Sequence, residues 1–264
     1  MSINSLLGRV MPLGKFSNTT YKRLLKNFLS KRSDDIVMLE PHLGLGDGII
    51  CIGLVKALCI RYPKKKFYYA CLAHNFHSIT WAFQDLANVY PIMVRNGRES
   101  RQLAHFLHID YWPIGIAEID LKCFDESFYR QHQVPFELRW DLGRTPAGPH
   151  SEALFTKLNP MAEPYILVCG TGSHGTERHL KIDNPLRLKV IEVYSATHNI
   201  FDWTALVERA SQIDTIDTGF MHFVESTLLS GTSQDLFYHR VKGYGSEFSR
   251  RLPWRQVDYT AHSV

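Results

Sequence analysis

The stretch IVMLEPHLGLGDGIICIGLVKALCIRYP, residues 36–63, carries the first decision about the fold. IVMLE (36–40) is a short aliphatic run ended by Pro41, and it reads as a buried strand. PHLGLGDG (41–48) sets Gly44, Gly46 and Gly48 in one turn. IICIGLVKALCIRYP (49–63) is apolar on nearly every side up to Arg61 and is closed by Pro63, as expected of a buried helix. Strand, glycine-rich turn and helix in this order open a doubly wound α/β sheet.

Working outward, FYYACL (67–72) reads as a second strand after the basic turn 64–66. A helix over 78–87 and an apolar stretch at YPIMV (90–94) continue the alternation, and a helix is predicted over 122–132. DLGRTPAGPH (141–150), with two prolines and two glycines, reads as a linker, and a short helix fills 151–158. The pattern then restarts. YILVCGTGSHG (165–175) is strand and glycine-rich turn, and VIEVY (190–194) is a strand. FDWTALVERA (201–210) is a helix capped by Asp202, and IDTID (213–217) is a strand. TGFMHFVESTLL (218–229) is turn and helix, and DLFYH (235–239) is a strand. Strands alternating with helices predict mainly parallel sheets covered on both faces. The expected organisation is a basic segment at 1–32, a Rossmann-like lobe at 33–145 and a second at 160–264, with a cleft between the lobes.

Composition narrows the classes. The chain has 264 residues, 45% hydrophobic and 21% charged, which is globular and not disordered or fibrous. A net charge of +4 does not argue for nucleic acid and suits an anionic ligand equally well. The five cysteines (51, 59, 71, 123, 169) form no C-x-x-C pair, and their apolar neighbours suggest reduced core thiols in a reducing compartment. No run of 18 apolar residues and no signal-type N-terminus occurs, so a cytoplasmic location is expected. Residues 1–32 carry seven Lys or Arg and no acid. Such an arm is a solvated tail, a contact to the inner face of an anionic membrane, or a targeting segment.

Two segments carry chemistry. In the first, Gly44, Gly46 and Gly48 let backbone N–H groups approach whatever binds at the helix start, and Asp47 sits beside them. Asp47 is either a helix cap or a proton acceptor held ionised by the helix dipole. In the second, Asp217, Thr218 and Gly219 precede a helix, where free N–H groups and a hydroxyl make a seat for a diphosphate. His222 lies one turn in as a donor to a phosphate oxygen. Glu225 lies three residues further on the same face, where its carboxylate would bind ribose hydroxyls. The alternative is an aspartate cap with a packed histidine. The pairs His74/His77 and His105/His108 have metal half-site spacing but read as ordinary histidines, and no metal site is expected. There is no Asp-x-Asp, no P-loop Gly-Lys-Ser/Thr and no Gly-x-Ser-x-Gly elbow.

Taken together, Gly46-Asp47 with the helix GLVKALCIRYP, and FDWTALVERASQIDTIDTGFMHFVES with its Asp-Thr-Gly-x-x-His turn, resemble the heptosyltransferases, GT-B glycosyltransferases of lipopolysaccharide core assembly. The resemblance implies an inverting, metal-independent sugar transfer from a nucleotide-sugar donor to a glycan or glycolipid acceptor, with no cofactor. It implies Asp47 as the base and Asp217, Thr218, Gly219 and His222 at the donor diphosphate, with Gly170, Thr171 and Gly172 facing the donor. The N-terminal lobe would bind acceptor and the C-terminal lobe donor. Where the family carries proline after Asp-Thr-Gly this chain has Phe220, and residues 173–184 lack the Lys/Arg-x-Trp-Pro pattern, so the sugar stays open. A non-catalytic nucleotide-sugar or glycan-binding protein and a sugar-nucleotide epimerase are the alternatives.

Overall fold

The computed structural model describes residues 35–116, 119–172, 175, 177–228, 231–240 and 247–259. The basic segment 1–32 lies outside the described residues. Two parallel sheets organise the chain. The first has strand order β3-β2-β1-β4, built from β1 (Ile36–Glu40), β2 (Lys66–Cys71), β3 (Val89–Met93) and β4 (Asp110–Pro113). The second has order β6-β5-β7-β8-β9, from β5 (Tyr165–Cys169), β6 (Lys189–Glu192), β7 (Gln212–Ile216), β8 (Asp235–Arg240) and β9 (Arg255–Asp258). All pairings are parallel. The strand order reverses between β1 and β4 in one sheet and between β5 and β7 in the other. In open α/β sheets these switch points are where ligands bind, beyond the carboxyl ends of the strands.

The helix that follows β1, α1 (Leu45–Arg61), buries its residues from Gly48 to Val55 without a break, as its all-round apolar sequence requires. It is covered on several sides: by α2 (Phe76–Ala82), by α4 (Phe124–Gln131), by α5 (Leu138–Asp141) and by α8 (Gly219–Thr227) of the second half. Gly53 is the point of closest approach, since a Cβ there would lie 2.2 Å from the carbonyl oxygen of Leu138. The hydroxyl of Tyr129 donates to Ile50 C=O at 2.7 Å and accepts from Leu54 N–H at 3.0 Å, so a side chain enters the backbone ladder of this helix.

Several boundaries differ from the sequence reading. The helix predicted at 78–87 is α2, which stops at Ala82 because Gln84 N–H and Leu86 N–H turn back onto Trp81 and Phe83 in tight three-residue turns. The helix at 122–132 opens with a 3₁₀ turn at Leu121–Cys123 before α4. Asp202 does not cap the helix at 201–210. A 3₁₀ turn (Ile200–Trp203) precedes α7 (Thr204–Arg209), Asn199 caps it by accepting from Phe201 N–H, and Asp202 instead accepts from His150 N–H at 3.0 Å. A further helix, α3 (Gly97–Leu107), stands where the sequence reading has none, although Asn96, which accepts from Glu99 N–H, is an ordinary cap. Strands β4 and β9 are likewise additions; both are short and partly exposed, so they lack a strong apolar pattern. The short helix expected at 151–158 is α6 (Ser151–Leu158). Cys51, Cys59, Cys71 and Cys169 are buried free thiols.

After β8 the chain crosses back to the first half. Glu247 N–H donates to Leu121 C=O at 2.8 Å, Phe124 N–H to Glu247 C=O at 3.1 Å, and Ser249 bonds the buried carboxylate of Asp125. The chain then returns to the second sheet as β9. This crossing joins the two halves a second time, beside Arg139 and Trp140 at the start of the linker.

Candidate functional site

The carboxyl ends of β1 and β7 each release a glycine-bearing turn into a helix, and the two turns meet. A Cβ built on Gly46 would lie 3.1 Å from Gly219 Cα and 3.0 Å from the His222 ring. One built on Gly219 would lie 3.0 Å from Gly46 N. The first turns of α1 and α8, the positive ends of their helix dipoles, therefore converge on one place. Gly170–Gly172 leave the neighbouring strand β5, whose Cys169 is in register with Thr215 of β7, so this turn and Asp217 start from the same sheet edge. The described residues on either side of this turn pair with each other: Arg178 N–H donates to Gly170 C=O at 3.0 Å and Thr171 bridges Glu177.

Asp47 is the third residue of α1, inside its first turn, and does not serve as the cap; Gly44 takes that position without a side-chain bond. Its carboxylate folds back over Gly44, where a Cβ would stand 2.5 Å from it. Burial pushes its pKa up to about 6, opposed by the nearby His42. His42 is itself held by Gly115 C=O at 2.5 Å and stacks on Phe128. Asp217 is buried, and burial together with the charge of Asp47 raises it to about 6 as well, against the pull of Arg250. The charge of Asp47 thus acts on Asp217 across the contact between the two halves.

Thr218 caps α8: its Oγ1 accepts from Phe220 N–H at 3.2 Å. His222 is buried under the Gly46 turn, against Phe248. Arg139 Nη2–H donates to His222 Nδ1 at 3.3 Å. A guanidinium only donates, so Nδ1 is the acceptor and the proton of the neutral imidazole sits on Nε2. That nitrogen faces Asp217 Oδ1 at 4.0 Å. Burial and Arg139 both push the His222 pKa well below the usual histidine value, which keeps the ring neutral. Arg139 is buried too, paired with Asp125 and donating to Ser249 C=O at 3.3 Å, and burial lowers it to about 9.

Glu225 departs from the sequence expectation. It is fully buried, and its oxygens accept from Trp254 Nε1–H at 2.6 Å, Arg251 N–H at 3.1 Å and Leu252 N–H at 3.3 Å. It fastens the returning segment 251–254, and a ribose cannot reach it. Lys181 lies over the Tyr259 ring, and Arg240, at the end of β8, is exposed. The cation acting on Asp217 is Arg250, which stands over Tyr238. Arg139, Asp125 and Arg250 were not legible as site residues, because each acts through partners distant in sequence, and His42, though close to Asp47 along the chain, is aimed by Gly115, 73 residues away. The histidine pairs bring no further ligand: among the described residues no group of three or more His, Cys, Asp or Glu is placed to hold a metal.

No family model and no curated protein matches the chain in sequence. Solved structures do match in fold. The chain resembles the Escherichia coli ADP-heptose LPS heptosyltransferase II, with a TM-score of 0.54 at 11% identity, over 87% of this chain and 92% of that one. It resembles a family 9 glycosyltransferase from Veillonella parvula, with a TM-score of 0.53 at 9% identity, over 85% and 86%. It also resembles the iron-containing dodecameric glycosyltransferase TibC of enterotoxigenic E. coli, with a TM-score of 0.53 at 11% identity, over 88% of this chain and 64% of that one. The two parallel sheets, their switch points and the facing turns at Gly46 and Gly219 are thus arranged on the two-lobed GT-B fold of these glycosyltransferases.

Proposed function

We propose that this protein is an inverting glycosyltransferase that moves a sugar from a nucleotide-sugar donor to a glycan or glycolipid acceptor. The observation that carries the reading is the contact of the Gly46 and Gly219 turns, which sets Asp47 against the Asp217–His222 turn. Residues 33–145 form the acceptor side and 160–264 the donor side. Asp47, poised near 6, takes the proton of the acceptor hydroxyl as that oxygen attacks the anomeric carbon. The bond to the donor diphosphate breaks, and the configuration inverts. The leaving diphosphate sits at the N-terminus of α8, against the Gly219 N–H and the positive end of the helix, with His222 Nε2–H as a neutral donor and Arg250 as counter-charge. Gly170, Thr171 and Gly172 flank the donor from the neighbouring strand end. Glu225 drops out of the donor set.

The heptosyltransferase II likeness supports a nucleoside-diphosphate sugar, and ADP-heptose is the first donor to try. No cofactor or metal takes part in this scheme, and no nucleic acid is a partner. The basic segment 1–32 would lie against an acidic cytoplasmic membrane face that presents a glycolipid acceptor; no described helix is long and apolar enough to cross a membrane. Nucleotide-sugar turnover, measured by nucleoside diphosphate release with mixed glycan acceptors, tests the proposal. Release abolished in Asp47→Asn with donor binding retained supports it. Donor binding without any turnover in the wild type favours a non-catalytic binder.

A further inference from the structure

On the far side of α2 from α1, a cavity of about 510 Å³ opens between the two halves. The helix turns Ile79 toward α1, where it meets Gly48, and presents His77 and Trp81 the opposite way, into the cavity, with Gln84 added from the turn that follows it. The facing wall is Thr197–Asn199 with Asp202, and the linker closes one side at Pro149–His150. These walls are tied together. Ile200 N–H donates to Ser78 Oγ at 3.0 Å, Trp81 Nε1–H to Pro146 C=O at 3.0 Å, Gly148 N–H to Phe201 C=O at 2.7 Å and His150 N–H to Asp202 Oδ1 at 3.0 Å. The space is built, and its volume is in the range of small-molecule sites, roughly 300–1,000 Å³.

Two polar atoms of its lining residues lack partners: Asp202 Oδ2 and Thr80 Oγ1. Asp202 is only 1% exposed, and leaving a buried carboxylate oxygen unpaired is costly, so this wall of the cavity keeps acceptor capacity that the fold does not use. Asn199 Oδ1 is taken by Phe201 N–H at 3.1 Å, which leaves the Nδ2 protons as donors. Trp81 and Phe76 add aromatic rings to the lining, and His77 and His198 stack with centroids 5.6 Å apart. No Lys or Arg is among the described residues lining the cavity, so a phosphate or carboxylate would meet Asp202 without a fixed counter-charge. Aromatic faces for C–H groups, with a carboxylate, an amide and a hydroxyl for O–H groups, are the chemistry of a neutral pyranose.

We propose that this cavity is a binding site for a neutral sugar residue, separate from the meeting point of the Gly46 and Gly219 turns. It goes beyond the transfer reading and stands without it. The test is saturation-transfer NMR on the full chain with methyl glucoside, methyl galactoside, N-acetylglucosamine and glucuronate. Transfer to at least one neutral sugar is expected, weakened tenfold or more by Asp202→Asn and by Trp81→Ala, and undiminished by added ADP. Thr80→Val probes the same wall if either variant fails to fold. No transfer from any neutral sugar, binding unchanged in the cavity variants, displacement by ADP, or glucuronate binding as tightly as methyl glucoside would each overturn the proposal. An absence of nucleotide-sugar turnover leaves it standing.

Discussion

Gly46 and Gly219 stand so close that neither tolerates a Cβ without displacing the other's backbone: a Cβ on Gly46 would be 3.1 Å from Gly219 Cα, and one on Gly219 would be 3.0 Å from Gly46 N. Because the neighbouring atoms are backbone, they cannot swing aside as the tip of a side chain would. Gly219→Val is expected to cost about 1–3 kcal/mol of stability by overpacking and to push the α1 and α8 turns apart. Thermal unfolding reads the first effect. The second appears as loss of nucleoside-diphosphate stabilisation, and a variant as stable as the wild type would show that the two turns are free to separate.

Asp47, held near 6 by burial, is a base above that pH and is protonated, unable to accept a proton, below it. Transfer, measured as kcat/KM, should therefore rise with pH through about 6 and level off above it. Asp47→Asn should lower kcat by about 10²–10⁴-fold with donor affinity kept. A variant retaining the wild-type rate and pH profile would remove Asp47 from the chemistry.

Asp217 gives a stability prediction with a defined sign. Its folded pKa of about 6 lies above the ordinary aspartate value of 3.8, so the folded state binds the proton more tightly. The stabilisation tied to that proton is complete below about 4 and is lost as pH rises through about 6. Asparagine imitates the protonated side chain. Asp217→Asn should match the wild type at pH 4 and be more stable at pH 8, by roughly 2 kcal/mol. Denaturant midpoints at the two pH values check this; equal offsets at both would contradict it.

Arg139 supports His222 and neutralises Asp125, both buried. Arg139→Met strands the carboxylate of Asp125 and should destabilise the protein by about 3–5 kcal/mol. Adding Asp125→Leu should recover much of that loss. In the wild type, ¹⁵N spectra should show His222 neutral with its proton on Nε2, and a proton on Nδ1 instead would break the assigned hydrogen bond.

Glu225 anchors the return of the chain through Trp254 and the amides of Arg251 and Leu252. Glu225→Ala should speed hydrogen exchange at those two amides while the amides of β1 and β2 stay protected. Uniform exchange across both sheets would mean that this anchor is not local.

Much of the architecture was legible along the chain. The aliphatic run at 36–40, the glycines at 44, 46 and 48 and the all-round apolar helix after them are local signals, and they determine the strand–turn–helix unit that opens the first sheet. The same grammar at 165–172 and 213–227 opens the second. What tertiary structure alone decided is who occupies each face. The spacing placed His222 and Glu225 on one side of α8 correctly, but that side is covered by the chain's own residues 248–254, which leave Glu225 no room for a ligand. Arg139 reaches His222 across 83 residues, Ser249 reaches Asp125 across 124, and Ser78 holds Ile200 across 122. Periodicity and turn chemistry are properties of neighbours in sequence, whereas a buried charge is set by whichever segment packs against it, and only the folded chain brings those segments together.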